Sequence, residues 1–184
     1  MLIIFWVLIA VLAVIVISFI YYYNKFVLLI QRAENSLSQI DVQLKKRADL
    51  VPNLIETVKG YAKHEKGIME TVSKARQAMI GAKDLVGRMK AGNVLESALG
   101  KLFAVAEAYP QLKANENFLQ LQQELSAIED KIAYARQYYN DSIMSYNTAV
   151  VTFPGTFFAG IYGKKQRDYL KIPEVQKAVP KVEF

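Results

Sequence analysis

The sequence predicts an all-α protein, with an N-terminal transmembrane helix continuing into an antiparallel up-down bundle of about four helices. Three observations carry this. The first residues form a long uncharged apolar run, the apolar residues after it recur at spacings of three and four, and proline and glycine punctuate the pattern where helices must turn. No comparable stretch alternates with period two, so a sheet is not expected.

The run Leu2 to Tyr23 comes first. All 23 Lys and Arg and all 17 Asp and Glu lie after Asn24. At ~1.5 Å of rise per residue the run is about 33 Å long, close to the ~30 Å hydrocarbon thickness of a bilayer. Trp6 near one end and Tyr21, Tyr22 and Tyr23 at the other suit the membrane interfaces. A cleaved signal peptide needs a basic leading segment and a small-residue cleavage site. Here nothing basic precedes the run and bulky YYYNKF follows it, so an uncleaved anchor over 1–24 is expected. Lys25, Arg32, Lys45, Lys46 and Arg47 follow the run, while the amino end has no charged side chain. The positive-inside rule then places the N-terminus outside and the domain in the cytoplasm, a single pass of the inner membrane.

Beyond the anchor, Ile30, Ala33, Leu37, Ile40 and Leu44 form one seam. Leu54, Val58, Tyr61, Ile68, Val72, Ala75 and Met79 form a second, with Glu65 in the skipped position, and Leu95, Leu99, Leu102, Ala106 and Tyr109 a third. The longest runs through Phe118, Leu121, Leu125, Ile128, Ile132, Ala135, Tyr139, Ser142 and Tyr146. Pro52 lacks an amide hydrogen and disfavours helix at Val51, so the first helix is expected to end there, with Asp49 capping the next. Gly81, Gly87 and Gly92 mark a connection with Asn93 as a cap, Pro110 closes the third helix, Asn115 caps the fourth and Pro154-Gly155 ends it. The expected helices are about 2–51, 53–80, 93–109 and 116–153. Residues 110–115 would be an extended connection. The domains follow as an anchor at 1–24, a bundle at 25–153 and a membrane-proximal tail at 154–184.

Matched first and second helices would return the chain to the bilayer near 81–92 and again after Val151. Those segments, joined by Lys25, carry Lys83, Arg88, Lys90, Lys164, Lys165 and Arg167, with Phe153, Phe157, Phe158 and Tyr162 beside them. Basic residues near an anionic leaflet gain ~1 kcal/mol each, and aromatic rings favour the headgroup zone. These residues are the candidate membrane-surface contacts. The competing reading docks the aromatic tail on the bundle.

The remaining motifs are weaker. His64-Glu65 lacks the second histidine of a zinc helix, because Ile68 stands in its place. With one His and no Cys, no metal site is expected. No phosphate-binding glycine loop and no nucleophile elbow occurs, so neither cofactor nor catalytic residues are assigned. The net charge of +6 is interspersed with acidic residues, and nucleic acid is not an expected partner. Lys45-Lys46-Arg47 reads as a solvated face with an Asp41–Lys45 pair; Arg47 alone falls on the seam, where Glu124 or Glu129 would pair with it. Tyr134, Tyr138, Tyr139 and Tyr146 crowd the last helix, with Asn140 and Asn147 seven apart on one face. As inward groups they need partners, and a polar network fixing helix register is the sharper of two readings.

The segment IDVQLKKRADLVPNLIETVKGYAKHE at 40–65 resembles the signature of the LemA family. The likeness continues through AYPQLKANENFLQLQQELSAIEDKIAYARQYYNDSIMSYN at 108–147, FPG at 153–155 and the terminal PKVEF. This resemblance implies a bacterial or archaeal single-span protein with its N-terminus outside and a helical bundle inside, from a family with no established catalytic activity and so no catalytic residues to carry over. Asp41, Gln43, Lys45, Arg47, Asp49, Pro52 and Asn53 are then architectural or docking positions. The expected function is a membrane scaffold working through homo-oligomers, with Gln111, Gln120, Gln122 and Gln123 on outward faces as contacts. An adaptor that recruits a membrane protease or signalling enzyme through the turn at Asp49–Asn53 is the alternative.

Overall fold

The computed structural model describes residues 1–170. Among the described residues the secondary structure is all α-helix, with α1 at Leu2–Tyr61, α2 at Lys66–Gly81, α3 at Leu85–Ala106, α4 at Pro110–Lys113, α5 at Glu116–Val151 and α6 at Gly155–Ile161. The four long helices match the expected number, and two short ones are added. The family-like PKVEF lies outside the described residues, as does the rest of the tail after Leu170. The described chain forms two compact units, residues 1–36 with 137–170, and residues 37–136.

Several boundaries differ from expectation. Pro52 does not end the first helix, which runs on to Tyr61 with the proline inside it. Proline at position 52 has no amide to give the carbonyl of Ala48, four residues earlier. In the second unit the Arg76 Nε–H of α2 donates to that carbonyl at 2.7 Å. A side chain from the neighbouring helix thus replaces the missing backbone bond, and α1 continues. Asp49 accordingly caps nothing and pairs with Lys45 at 3.8 Å. The chain turns at Ala62–Glu65 instead, where the Glu65 amide bonds to the Ala62 carbonyl at 3.1 Å. His64 is exposed on this turn rather than on a helix.

The later start of α2 leaves it with 16 residues, far short of a full-length return. Residues 85–92, expected as loop, are helical. Asp84, in extended backbone, caps α3 by accepting from the Gly87 amide at 2.7 Å. Gly92 is a close-packing position inside α3, since a Cβ there would approach Leu44 Cδ2 to 2.7 Å. With α3 beginning this early, no length mismatch needs an extended 110–115, and Pro110 suits the first position of α4. Asn115 does cap α5, accepting from the Phe118 amide at 3.0 Å.

Cross-helix bonds in the second unit give the direction of each element. Ala48 meets Arg76 across the α1–α2 hairpin, so α2 runs back along α1. Asp41 meets Arg88 and Gly92 meets Arg47, so α3 runs with α1. Asn115 meets Tyr61 while Glu129 meets Arg47, so α5 runs against it. The up-down order is as expected. Its core takes Ile40, Leu44, Val51 and Leu54 from α1, Val72 and Met79 from α2, Leu95 and Leu102 from α3, and Phe118 and Ile132 from α5.

Replacing Arg76 with Met leaves the Ala48 carbonyl buried and unpaired, a cost of about 1–3 kcal/mol. In a Pro52→Ala background, where the backbone amide returns, the same replacement costs much less. Thermal unfolding of the four variants in mild detergent, followed by circular dichroism, measures the coupling.

Candidate membrane interface and motif surface

In the first unit, α1 contributes the uncharged run and the turns beyond it. Among the described residues it is the one helix long and apolar enough to cross a membrane, with its most apolar window at mean hydropathy 3.3 and none of that window buried. The last turns of α5 and α6 fold as a helical hairpin against the carboxyl end of the run. Phe26, Leu29, Tyr146, Ala149, Val150, Phe158 and Ala159 form its core. Phe158 stacks on Tyr22 with ring centroids 4.6 Å apart and planes at 11°, and meets Phe19 edge-on at 5.0 Å. The Tyr162 hydroxyl donates to the Phe19 carbonyl at 2.8 Å. Gly155 makes the bend: a Cβ there would overlap the Ala149 carbonyl and come within 3.3 Å of Tyr22 Cε1.

This unit gathers eight of the eleven candidate membrane-surface residues. Their roles differ from one another. Phe158 is buried and Tyr162 half-buried, and both meet Phe19 in the anchor run, whereas Phe153 is 85% exposed and Phe157 58% exposed. Lys25 lies 5.8 Å from the Tyr21 ring centroid and 5.9 Å from that of Tyr22, within cation–π range. The Lys164 amide bonds to the Ala159 carbonyl at 2.8 Å, and the Lys165 side chain is exposed. Lys83, Arg88 and Lys90 belong to the other unit. Their assignment rested on a full-length return helix, which the 16-residue α2 does not supply. Arg88 is held instead by Asp41, with Nε 2.6 Å from Oδ1.

After α6 the chain is extended, and α5 holds it by asparagine side chains. Asn147 Nδ2 donates to the Arg167 carbonyl at 2.8 Å while its Oδ1 accepts from the Arg167 amide at 2.8 Å. Asn140 makes the same pair with Leu170, at 3.2 and 2.9 Å. Each carboxamide pairs with a backbone residue as a neighbouring strand would. The spacing explains the match, because seven helical residues rise ~10.5 Å and three extended residues span ~10 Å. The Tyr139 hydroxyl adds a bond to the Asp168 carbonyl at 3.3 Å, and Arg167 reaches Glu34 of α1 at 4.0 Å. Burial raises the pKa of Tyr139, and of the buried Tyr146. In place of the expected network fixing helix register, Tyr139, Asn140 and Asn147 bond the backbone of the extended tail.

The motif residues lie on α1 in the second unit. Arg47 is 3% exposed, forms an ion pair with Glu129, and donates from Nη1 to the Gly92 carbonyl at 3.3 Å. Of the two partners offered, Glu129 is the one used. Burial lowers the Arg47 pKa, an effect Glu96 opposes and Arg136 reinforces. Arg136 in turn donates from Nη2 to Asn93 Oδ1 at 2.9 Å, so Asn93 serves this seam and not a helix cap. Gln43 is buried with its Oε1 unpaired. Asp41 pairs with Arg88 and not with Lys45. Asp41, Lys45 and Asp49 line an open groove of about 380 Å³ with Met79, Ile80 and Arg88. Pro52 and Asn53 are exposed. At the far turn, Tyr109 donates to Glu65 Oε1 at 2.9 Å, and this bond raises the Tyr109 pKa.

The LemA family model matches residues 36–184. The chain belongs to the LemA family. It is also similar to the magnetosome protein MamQ of Magnetospirillum gryphiswaldense, 27% identical across 80% of this chain and 64% of the relative. MamQ 2 of Paramagnetospirillum magneticum is 26% identical across 81% and 64%. Protein LemA of Metamycoplasma hominis is 26% identical across 65% and 55%. The chain thus spans under two thirds of the length of the curated relatives it matches. With the apolar run of α1, these findings describe a membrane-associated helical protein. The LemA match begins within the first unit and takes in the whole 41–53 motif. The tail clamp was the part least visible in advance. Its one signal was the seven-residue spacing of Asn140 and Asn147, which shows a shared helix face but not the backbone it reads.

Two outcomes follow. Glu129→Ala strands the buried Arg47 charge and costs about 3–5 kcal/mol, while Arg47→Met with Glu129→Leu recovers most of it, measured by thermal unfolding in detergent. Asn147→Leu removes the partners of the Arg167 amide, and hydrogen–deuterium exchange there speeds up by more than tenfold while the amides of α3 keep their protection.

Proposed function

We propose that this chain is a non-catalytic scaffold of the cytoplasmic membrane, anchored once with its amino end outside, that self-associates laterally and orders or shapes the bilayer around it. The observation that carries this reading is the packing of Phe158 and Tyr162 on Phe19 and Tyr22. The anchor is not a loose tether in its own unit, because its last turns share a core with the end of α5. Copies held at one height and tilt present the same faces to their neighbours, which favours closed rings or regular patches. Gln111, Gln120, Gln122 and Gln123 are exposed, as such contacts require. The basic residues after the run support the inward orientation.

A second reading rests on the groove at Asp41, Lys45 and Asp49, whose charged rim suits a protein partner. In that case the chain is an adaptor for another membrane protein.

Full-length protein purified in mild detergent, examined by size exclusion and electron microscopy, should show a defined oligomer with recognisable symmetry. Monomers at every concentration would sink the scaffold. Asp41→Ala with Asp49→Ala that removes a co-purifying protein while leaving particle size unchanged assigns the adaptor role.

A further inference from the structure

The first unit contains two uncharged stretches. One is the α1 run. The other is Ser142 to Gly163, bounded by Asp141 on one side and by Lys164 and Lys165 on the other. It is folded as the α5–α6 hairpin, and the rings at its bend lie against Phe19, Tyr22 and Phe26. Phe19 precedes Lys25 by six helical residues, about 9 Å of rise, which falls within the ~5–10 Å depth of interfacial helices.

The outer side of the hairpin is apolar. Phe153 is 85% exposed, Phe157 58% and Ile161 53%; Phe157 meets Phe158, which packs on Phe19 and Tyr22, and on α1 Ile20 and Tyr21 are also exposed. Backbone groups at such depth must be bonded within the protein. The Thr156 amide bonds to Thr152 O at 2.8 Å, Phe157 to Pro154 O at 3.1 Å, Tyr162 to Phe158 O at 2.9 Å and Lys164 to Ala159 O at 2.8 Å. The Thr152 hydroxyl returns to Thr148 O at 2.8 Å. Lys164 and Lys165 follow at once, placed to reach headgroup phosphates.

We infer that the α5–α6 hairpin is a half-inserted lipid-binding element: Phe153, Phe157 and Ile161 sit at the boundary of acyl chains and headgroups, in the leaflet on the Lys25 side of the span. The occupant of this face is lipid, because Phe158, beside Phe157, packs on Phe19 and Tyr22 and so holds the hairpin at the level of the uncharged α1 run. The inserted hairpin widens the protein's footprint in one leaflet only. The inference rests on α1 being a span, and it specifies the lipid contact of the proposed scaffold.

The test uses full-length protein in vesicles of phosphatidylcholine and phosphatidylglycerol, with acyl chains brominated either near the headgroup or near the tail end. The only tryptophan, Trp6, reports the span. A Trp6→Phe, Phe157→Trp variant reports the hairpin, and a Trp6→Phe, Phe153→Trp variant repeats the measurement at a second exposed site. The expected result is blue-shifted emission at both hairpin sites, with larger loss of fluorescence from shallow bromines than from deep ones. Quenched Trp6 with unquenched, red-shifted reporters at 153 and 157 overturns the insertion and leaves the span intact. Blue-shifted reporters that bromine does not quench, and that turn red when protein is diluted in lipid, mean that a second copy covers the face, which also overturns it. Loss of quenching at Trp6 as well overturns the span and the insertion together.

Discussion

The carbonyl of Ala48 is the point on which the architecture turns. The residue four positions on is a proline, so the helix cannot close its own bond there, and a buried unpaired carbonyl costs enough to end a helix. Arg76 supplies the missing donor from α2. One side chain therefore does two things: it keeps α1 running to Tyr61, and it sets the register of the α1–α2 hairpin. The turns of α1 before the proline carry the other cross-helix pairs, Asp41 with Arg88 and Arg47 with Gly92 and Glu129. A helix ending at Val51 would have rotated or displaced everything after it.

Much of this was legible in the residues. The seams at 30–44, 95–106 and 118–146 lie on the packed faces, because a three-four spacing reports burial whatever the neighbours are. Breakers were less reliable, and for a physical reason. A proline states only that one bond is absent; whether the helix stops depends on whether some distant group can replace it. Arg76 is 24 residues away from Pro52, and nothing in either residue alone announces the other. Gly87 and Gly92 misled in the same way. Glycine reads as a loop, yet at position 92 the absent side chain makes room for Leu44.

The site was legible in composition more than in geometry. Aromatics and lysines after Val151 pointed to a surface near the bilayer, but the sequence could not sort Phe158 and Tyr162, which pack on α1, from Phe153 and Phe157, which do not. That sorting depends on the bend at Gly155, where the backbone of α5 leaves no space for a side chain. The 41–53 motif divides similarly. Arg47 and Gln43 face inward, Asp41, Lys45 and Asp49 line a groove, and Pro52 acts through the carbonyl it leaves open. A single block of sequence thus serves three separate physical ends.

The asparagine clamp on α5 hydrogen-bonds to the main chain of the segment it holds. Recognition of that sort is a measure of length and not of spelling. Side chains between Arg167 and Leu170 are free to drift over evolutionary time, whereas one inserted or deleted residue would put the second rung out of step with the first. A ruler cut into a helix permits any text of the right number of letters.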